Sequence, residues 1–182
     1  MKQIALSLTA VCFVIAAAQT LSAQTDKRVA AIRAKTLEIN KPRKAYAKTK
    51  VAVPGISTEG AEAVIYRSGS EVKKITASIY GESFKAASEF YFDGGRLIFS
   101  FDKVSRFRMP MPSKGPVVDR IELYRGYFDE GKMFRLTKDN KAVPTTDPEF
   151  ESESGRILGT VEAILEAEAN PSHSARARQP NE

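Results

Sequence analysis

Apolar residues recur along this chain with two different periods, and the change between them divides it. Residues 25–40, TDKRVAAIRAKTLEIN, contain no Gly or Pro. Val29, Ile32, Thr36 and Leu37 fall at helical spacing there, with Thr25 or Asp26 placed to cap. The pattern predicts a helix that Pro42 stops, because the residue before a proline is pushed out of the α region. The following KPRKAYAKTKVAVPGISTEG is expected to be an irregular basic linker closed by Pro54-Gly55.

From Ala61 the period becomes two. Ile75, Ala77 and Ile79 alternate with Lys74, Thr76, Ser78 and Tyr80. Leu97, Phe99 and Phe101 alternate with Ile98, Ser100 and Asp102, and Ile121 and Leu123 with Glu122 and Tyr124. Such alternation marks antiparallel strands with one face on a core and the other wet. It predicts six strands, at about 61–67, 71–80, 86–93, 95–103, 117–128 and 132–138. The period returns to helical in SESGRILGTVEAILEAEA, where Ile157, Val161, Ile164, Leu165 and Glu168 share a side and Ser152 or Ser154 caps. The expected fold class is α+β: an antiparallel β-meander of about six strands with an N-terminal helix and a C-terminal amphipathic helix.

One phrase is written twice. Residues 91–97 are YFDGGRL and residues 127–133 are YFDEGKM, and YRSGSEV at 66–72 is a fainter copy. The tyrosines lie 25 and 36 positions apart. Each copy offers an aromatic residue, a turn that Asp and Gly can close in left-handed dihedrals, and a β-former on exit, as a hairpin demands. A cation site built from Asp93, Asp129 and Glu130 is the competing reading, but each turn supplies only one or two carboxylates where calcium wants many oxygens. Between the second and third hairpins, Val104–Pro116 (VSRFRMPMPSKGP) is too long to be a mere turn.

The run STEGAEAVIYRSGSEVKKITASIYGESFKAASEFYFDGGRLIFSF resembles an uncharacterised family of small secreted bacterial proteins. That family shows an N-terminal helix, a phrase like STEGAEA, then Y-x-x-G, I-x-A-x-x-Y-G-E and E-x-Y-F-D-x-G-x-L. These match Ser57–Ala63, Tyr66–Gly69, Ile75–Glu82 and Glu89–Leu97 here, and the likeness covers about residues 25–170. More distantly, the aromatic-aromatic-Asp-x-Gly hairpins resemble MORN-variant repeats. Neither resemblance implies an activity.

The first residues set the expected compartment. Lys2 supplies a positive start, Ile4–Ala18 an apolar stretch too short to span a membrane, and Leu21-Ser22-Ala23 a small-residue cleavage site. This predicts a signal peptide over 1–23 and a secreted or periplasmic protein. Cys12, the only cysteine, lies inside that peptide after Val11 and lacks a lipoprotein context. A cleaved chain would have no disulfide and no thiol nucleophile. The remaining organisation is expected to be a basic helix and linker over 24–56, a β-meander domain with its C-terminal helix over 57–170, and a disordered tail over 171–182.

Charge and chemistry then narrow the function classes. The formal charge is +6, and Gln24–Lys50 holds nine basic residues against Asp26 and Glu38. Within that segment Arg28, Arg33, Lys41, Arg43, Lys44 and Lys48 are candidates to meet an anionic surface such as lipid headgroups or cell-wall polymers, although a solvated basic helix explains them as well. Nucleic acid is not an expected partner outside the cytoplasm. The single histidine, His173, lies in the tail, so no Ser–His–acid arrangement can be held. There is no zinc pattern and no phosphate-binding glycine loop. No catalytic, cofactor-binding or metal-binding residue is assigned, and no cofactor is expected.

Three binding readings remain. Arg106, Phe107, Arg108, Met109 and Met111, interleaved with prolines, suit a protein interface. A concave sheet face lined by Tyr66, Tyr80, Tyr91, Tyr124 and Tyr127 would suit a small apolar ligand, and Glu59, Glu62, Glu82 and Glu89 are carboxylates available to an enzyme there. The preferred expectation is a non-enzymatic envelope binding protein docking a protein partner through Phe107–Met111 and the neighbouring strand edge. The alternative is a small-ligand carrier or carboxylate-based enzyme using the concave face.

Overall fold

A computed structural model describes residues 24–41, 45–113 and 115–170. The proposed signal peptide, Arg43, Lys44 and the C-terminal tail with His173 lie outside the described residues. The chain divides into two compact units, residues 1–38 and 39–182. The described part of the first is most of one helix, α1, over residues 24–39, close to its expected limits. Leu37 is 70% exposed and so does not belong to a buried stripe.

The second unit is an antiparallel meander of eight strands, not six, in the order β1-β2-β3-β4-β5-β6-β7-β8. They are β1 (Ala47–Val53), β2 (Ala61–Ser68), β3 (Glu71–Gly81), β4 (Phe84–Asp93), β5 (Arg96–Phe107), β6 (Val118–Asp129), β7 (Lys132–Lys138) and β8 (Lys141–Val143). The expected linker is therefore partly strand: β1 pairs with β2 from Ala47↔Arg67 to Val53↔Ala61. β5 runs on through Phe107, so the long connection shortens to residues 108–117. Helix α2 (Pro148–Ala169) starts earlier than expected, capped by Asp147, which accepts from the Glu149 N–H, with Pro148 in its first turn.

Helix α2 lies on one face of this sheet. Phe150, Ile157, Val161 and Ile164 join Ala63, Ile65, Ile75, Ile79, Phe90, Phe92, Leu97, Phe128 and Leu136 in one core. Both ends of the helix are tied down. Near its start Glu149 Oε1 accepts from Lys138 Nζ at 2.6 Å and Tyr124 Oη at 3.1 Å. Near its end Glu168 takes both Nε (3.2 Å) and Nη2 (2.5 Å) of Arg67.

Each copy of the repeated phrase is a hairpin at one end of the sheet. Gly94 and Gly95 have positive φ, as do Glu130 and Gly131, which is the backbone of a primed two-residue turn. In each copy the register slips immediately after the tyrosine, between Tyr66/Arg67, Tyr91/Phe92 and Tyr127/Phe128. The bulges have a consequence that simple alternation misses. Tyr91 pairs with Phe99 but Phe92 pairs with Leu97, leaving Ile98 as the extra residue. Leu97 is thus on the α2 face with Ser100 and Asp102, while Phe99 and Phe101 point to the second face. Sequence alternation had placed Leu97, Phe99 and Phe101 together. In β6 the expected faces are likewise reversed: Glu122 and Tyr124 are buried towards α2, and Ile121 is 49% exposed. Glu122 tolerates this because Arg106 Nε and Arg120 Nε both donate to it, at 3.0 and 2.9 Å.

Candidate functional site

The connection between β5 and β6 is held at its base by backbone hydrogen bonds. The Phe107 N–H donates to Ser83 O at 2.8 Å, and the Arg108 N–H donates to Val117 O at 2.9 Å. Beyond this clasp, Pro110 and Pro112 keep the chain from rejoining the sheet ladder. Gly115 at φ 100 turns it back. The apolar side chains here therefore have no core to enter. Met109 is 57% exposed and Met111 44%, and where the chain returns to the sheet Val117 is 43% exposed and Val118 and Ile121 of β6 49% each. Val118 pairs with Phe107 and Ile121 with Ser105, so both sit on the second face beside the half-buried Phe107.

The five residues singled out from sequence therefore divide. Arg106 belongs to β5, and its guanidinium is committed to Glu122 and lies 5.5 Å from the Phe84 ring centre. Phe107 is the last residue of β5. Arg108, Met109 and Met111 are exposed in the connection. The neighbouring strand edge expected beside them does not exist, because β5 and β6 pair with each other and with β4 and β7. Val117, Val118 and Ile121 complete the apolar surface and were not singled out. Two consecutive valines at a strand start, where alternation allows one inward, were the available signal.

The residues of the basic segment are divided between the two units. Arg28 and Arg33 lie on α1 in the first unit, Lys41 is exposed after it, and Lys48 is on β1.

On the second face a row of side chains crosses the sheet: Lys48, Tyr66, Lys74, Tyr91, Phe99, Tyr127 and Arg135 are successive cross-strand partners. Lys48 Nζ lies 5.5 Å from the Tyr66 ring centre and Lys74 Nζ 4.8 Å from that of Tyr91. The rings of Tyr91, Phe99, Tyr127 and Phe134 follow at 5.7, 5.1 and 6.4 Å. The repeated phrase supplies three of these tyrosines. Such ring contacts stabilise a sheet beyond their buried area. Tyr91 is further tied by Asn40, whose Nδ2 donates to Tyr91 Oη at 2.8 Å, while Tyr91 Oη donates to Glu89 Oε2 at 2.5 Å. Burial pushes the Tyr91 phenol above its ordinary range, and the Glu89 hydrogen bond adds to the rise.

Beside this row lies a trough of about 530 Å³ over β1–β5. Ala52, Val64, Thr76, Ser78 and Ala87 keep its floor low, and Lys50, Glu62, Glu89 and Lys103 stand around it. It offers no paired acid and base. Glu89 is committed to Tyr91 and to Lys74, 3.1 Å away, and Glu59, Glu62 and Glu82 are exposed. Tyr66, Tyr80, Tyr91 and Tyr127 face this side, whereas Tyr124 faces α2. Asp93 closes one hairpin, and Asp129 and Glu130 close another. Among the described residues no group of three His, Cys, Asp or Glu side chains gathers to hold a metal ion. No described helix is long and apolar enough to cross a membrane. Comparison with known proteins returned no significant match to a family model, a curated protein or a solved structure.

Proposed function

We propose that this chain is a secreted or periplasmic, non-enzymatic binding protein that docks a protein partner on the tip of the β5–β6 hairpin. One observation carries the reading: Met109, Met111 and Val117 on a connection clasped at its base, and Val118 and Ile121 at the start of β6, are all exposed apolar side chains. Several exposed apolar side chains within one hairpin mark an interaction surface, and Met adapts well to a partner's contours. Exposed Arg108 at the base fits the polar rim of such an interface. The leader-like residues 1–23 support export, and the likeness to small secreted bacterial proteins agrees with it. The carboxylate-enzyme alternative has less support, since Glu89 is already paired with Tyr91 and Lys74.

The test is capture from an envelope fraction by the intact chain and by a Met109→Ser, Met111→Ser, Ile121→Thr variant. These side chains are exposed, so the variant is expected to fold with an unchanged circular dichroism spectrum. It should lose at least about tenfold of the captured partner, as truncating central apolar anchors does elsewhere. Equal capture by both proteins would show that the hairpin tip is not the docking surface.

A further inference from the structure

A meander of eight strands leaves two edges, and this protein treats them differently. β8 is three residues long, lies between the Asp139–Asn140 turn and Pro144, and offers almost no ladder to a newcomer. β1 is seven residues long and contains no proline. It pairs with β2 at every position without a bulge, whereas four of the other six pairings carry one. Its first four residues, Ala47–Lys50, are exposed. Long straight edges are templates for another strand, and proteins ordinarily shorten, bulge or charge them. Here α2 lies against β1, and the protection carried by the exposed residues of β1 is charge.

That charge selects between occupants. Lys48 and Lys50 both point to the second face, opposite Tyr66 and Val64, and among the described residues neither takes part in an ion pair. Two copies of β1 meeting edge to edge in antiparallel register would oppose lysine to lysine, which is destabilising for directly facing cross-strand pairs. A strand carrying carboxylates at alternate positions would set them against the same two ammonium groups. Its backbone would satisfy the outer N–H and C=O groups of β1.

We propose that the outer edge of β1 is a second docking site, independent of the hairpin tip, which takes an extended acidic peptide segment as an added antiparallel strand. Backbone hydrogen bonds supply the affinity in this mode of recognition, and the side chains at alternate positions supply the choice of sequence. Residues 50–52 also border the trough, so side chains of the added strand on that face continue its rim.

The experiment uses the whole chain and three fluorescein-labelled heptapeptides followed by anisotropy. The first is Thr-Glu-Val-Glu-Val-Glu-Thr, the second replaces each Glu by Lys, and the third is the first with alternate backbone nitrogens methylated. The acidic peptide is expected to bind, the basic one not, and methylation should weaken binding by at least about tenfold through lost strand hydrogen bonds. The charge-reversed Lys48→Glu, Lys50→Glu variant should exchange the preference and bind the basic peptide, a gain that misfolding cannot produce. Vesicles of phosphatidylglycerol and phosphatidylcholine form the last arm. Failure of the acidic peptide to bind, equal binding of the methylated peptide, or binding of vesicles with the same lysine dependence but no peptide preference would overturn the proposal. The last result would make these lysines a lipid-facing charge patch instead.

Discussion

Asp102 lies in the middle of β5 with no exposed surface. Ser88 Oγ donates to its Oδ1 at 2.5 Å, and Arg156 Nη2 from α2 lies 3.3 Å from its Oδ2. Arg156 is shared with Glu153, 2.7 Å away on the same helix. Burial pushes the Asp102 carboxyl above its ordinary range, and the Arg156 charge opposes that rise. A carboxyl raised on folding contributes stability that is complete below its unfolded value near 4 and is lost as pH rises through its folded value. Arg156→Leu removes the opposing charge and strands the carboxylate, at a cost of about 3 kcal/mol at neutral pH. The gap in Tm between this variant and the parent should therefore be widest near pH 7 and shrink towards pH 4; a gap independent of pH would show that Asp102 is not the group being stranded. Alternation in RLIFSFD could not reveal this pair. It assigns Asp102 to a wet face, and only the bulge at Ile98 and a helix fifty residues later make burial of a carboxylate tolerable.

At the scale of the element, the hairpins were legible because their turn chemistry is local. Asp-Gly-Gly and Asp-Glu-Gly each bring their own conformational preference, and the structure puts turns at both. Glu130 is the least suited residue among them, with φ 49 on a side chain that prefers other backbone regions. Glu130→Asn keeps the size small and suits the first position of a primed turn. It should raise stability by about 0.5 kcal/mol, seen as a higher denaturant midpoint at constant slope. The two edge strands were not legible for a different reason. AKTKVAV alternates, but its lysines made it look like a solvated linker, and Lys141–Val143 is too short to show a period. The candidate site was partly legible: Met109 and Met111 stood out between prolines, whereas Ile121 was hidden by an alternation that suggested it faced the core.

At the scale of the molecule, the sheet and α2 are one cooperative body. The second face carries its own ring contacts and polar ties, but Ile65, Ile75, Phe90 and Leu136 share one core with α2. Ending the chain at Asp147 would bare that core, far more apolar surface than a soluble protein tolerates. The truncated protein is expected to lose its cooperative thermal transition and to bind a hydrophobic dye. A sharp transition without dye binding would mean the sheet stands alone.

The tyrosines of the repeated phrase stay in one cross-strand row although they are 25 and 36 residues apart along the chain. The surplus of the second interval includes the long connection of residues 108–117, at the end of the sheet away from the turns. The fold thus behaves as a comb, with a spine near one end where spacing is conserved in space and teeth at the other whose length is unconstrained. Segments grafted between Arg108 and Val117 would leave the spine in register, so recognition can be rewritten at the tip without renegotiating the scaffold.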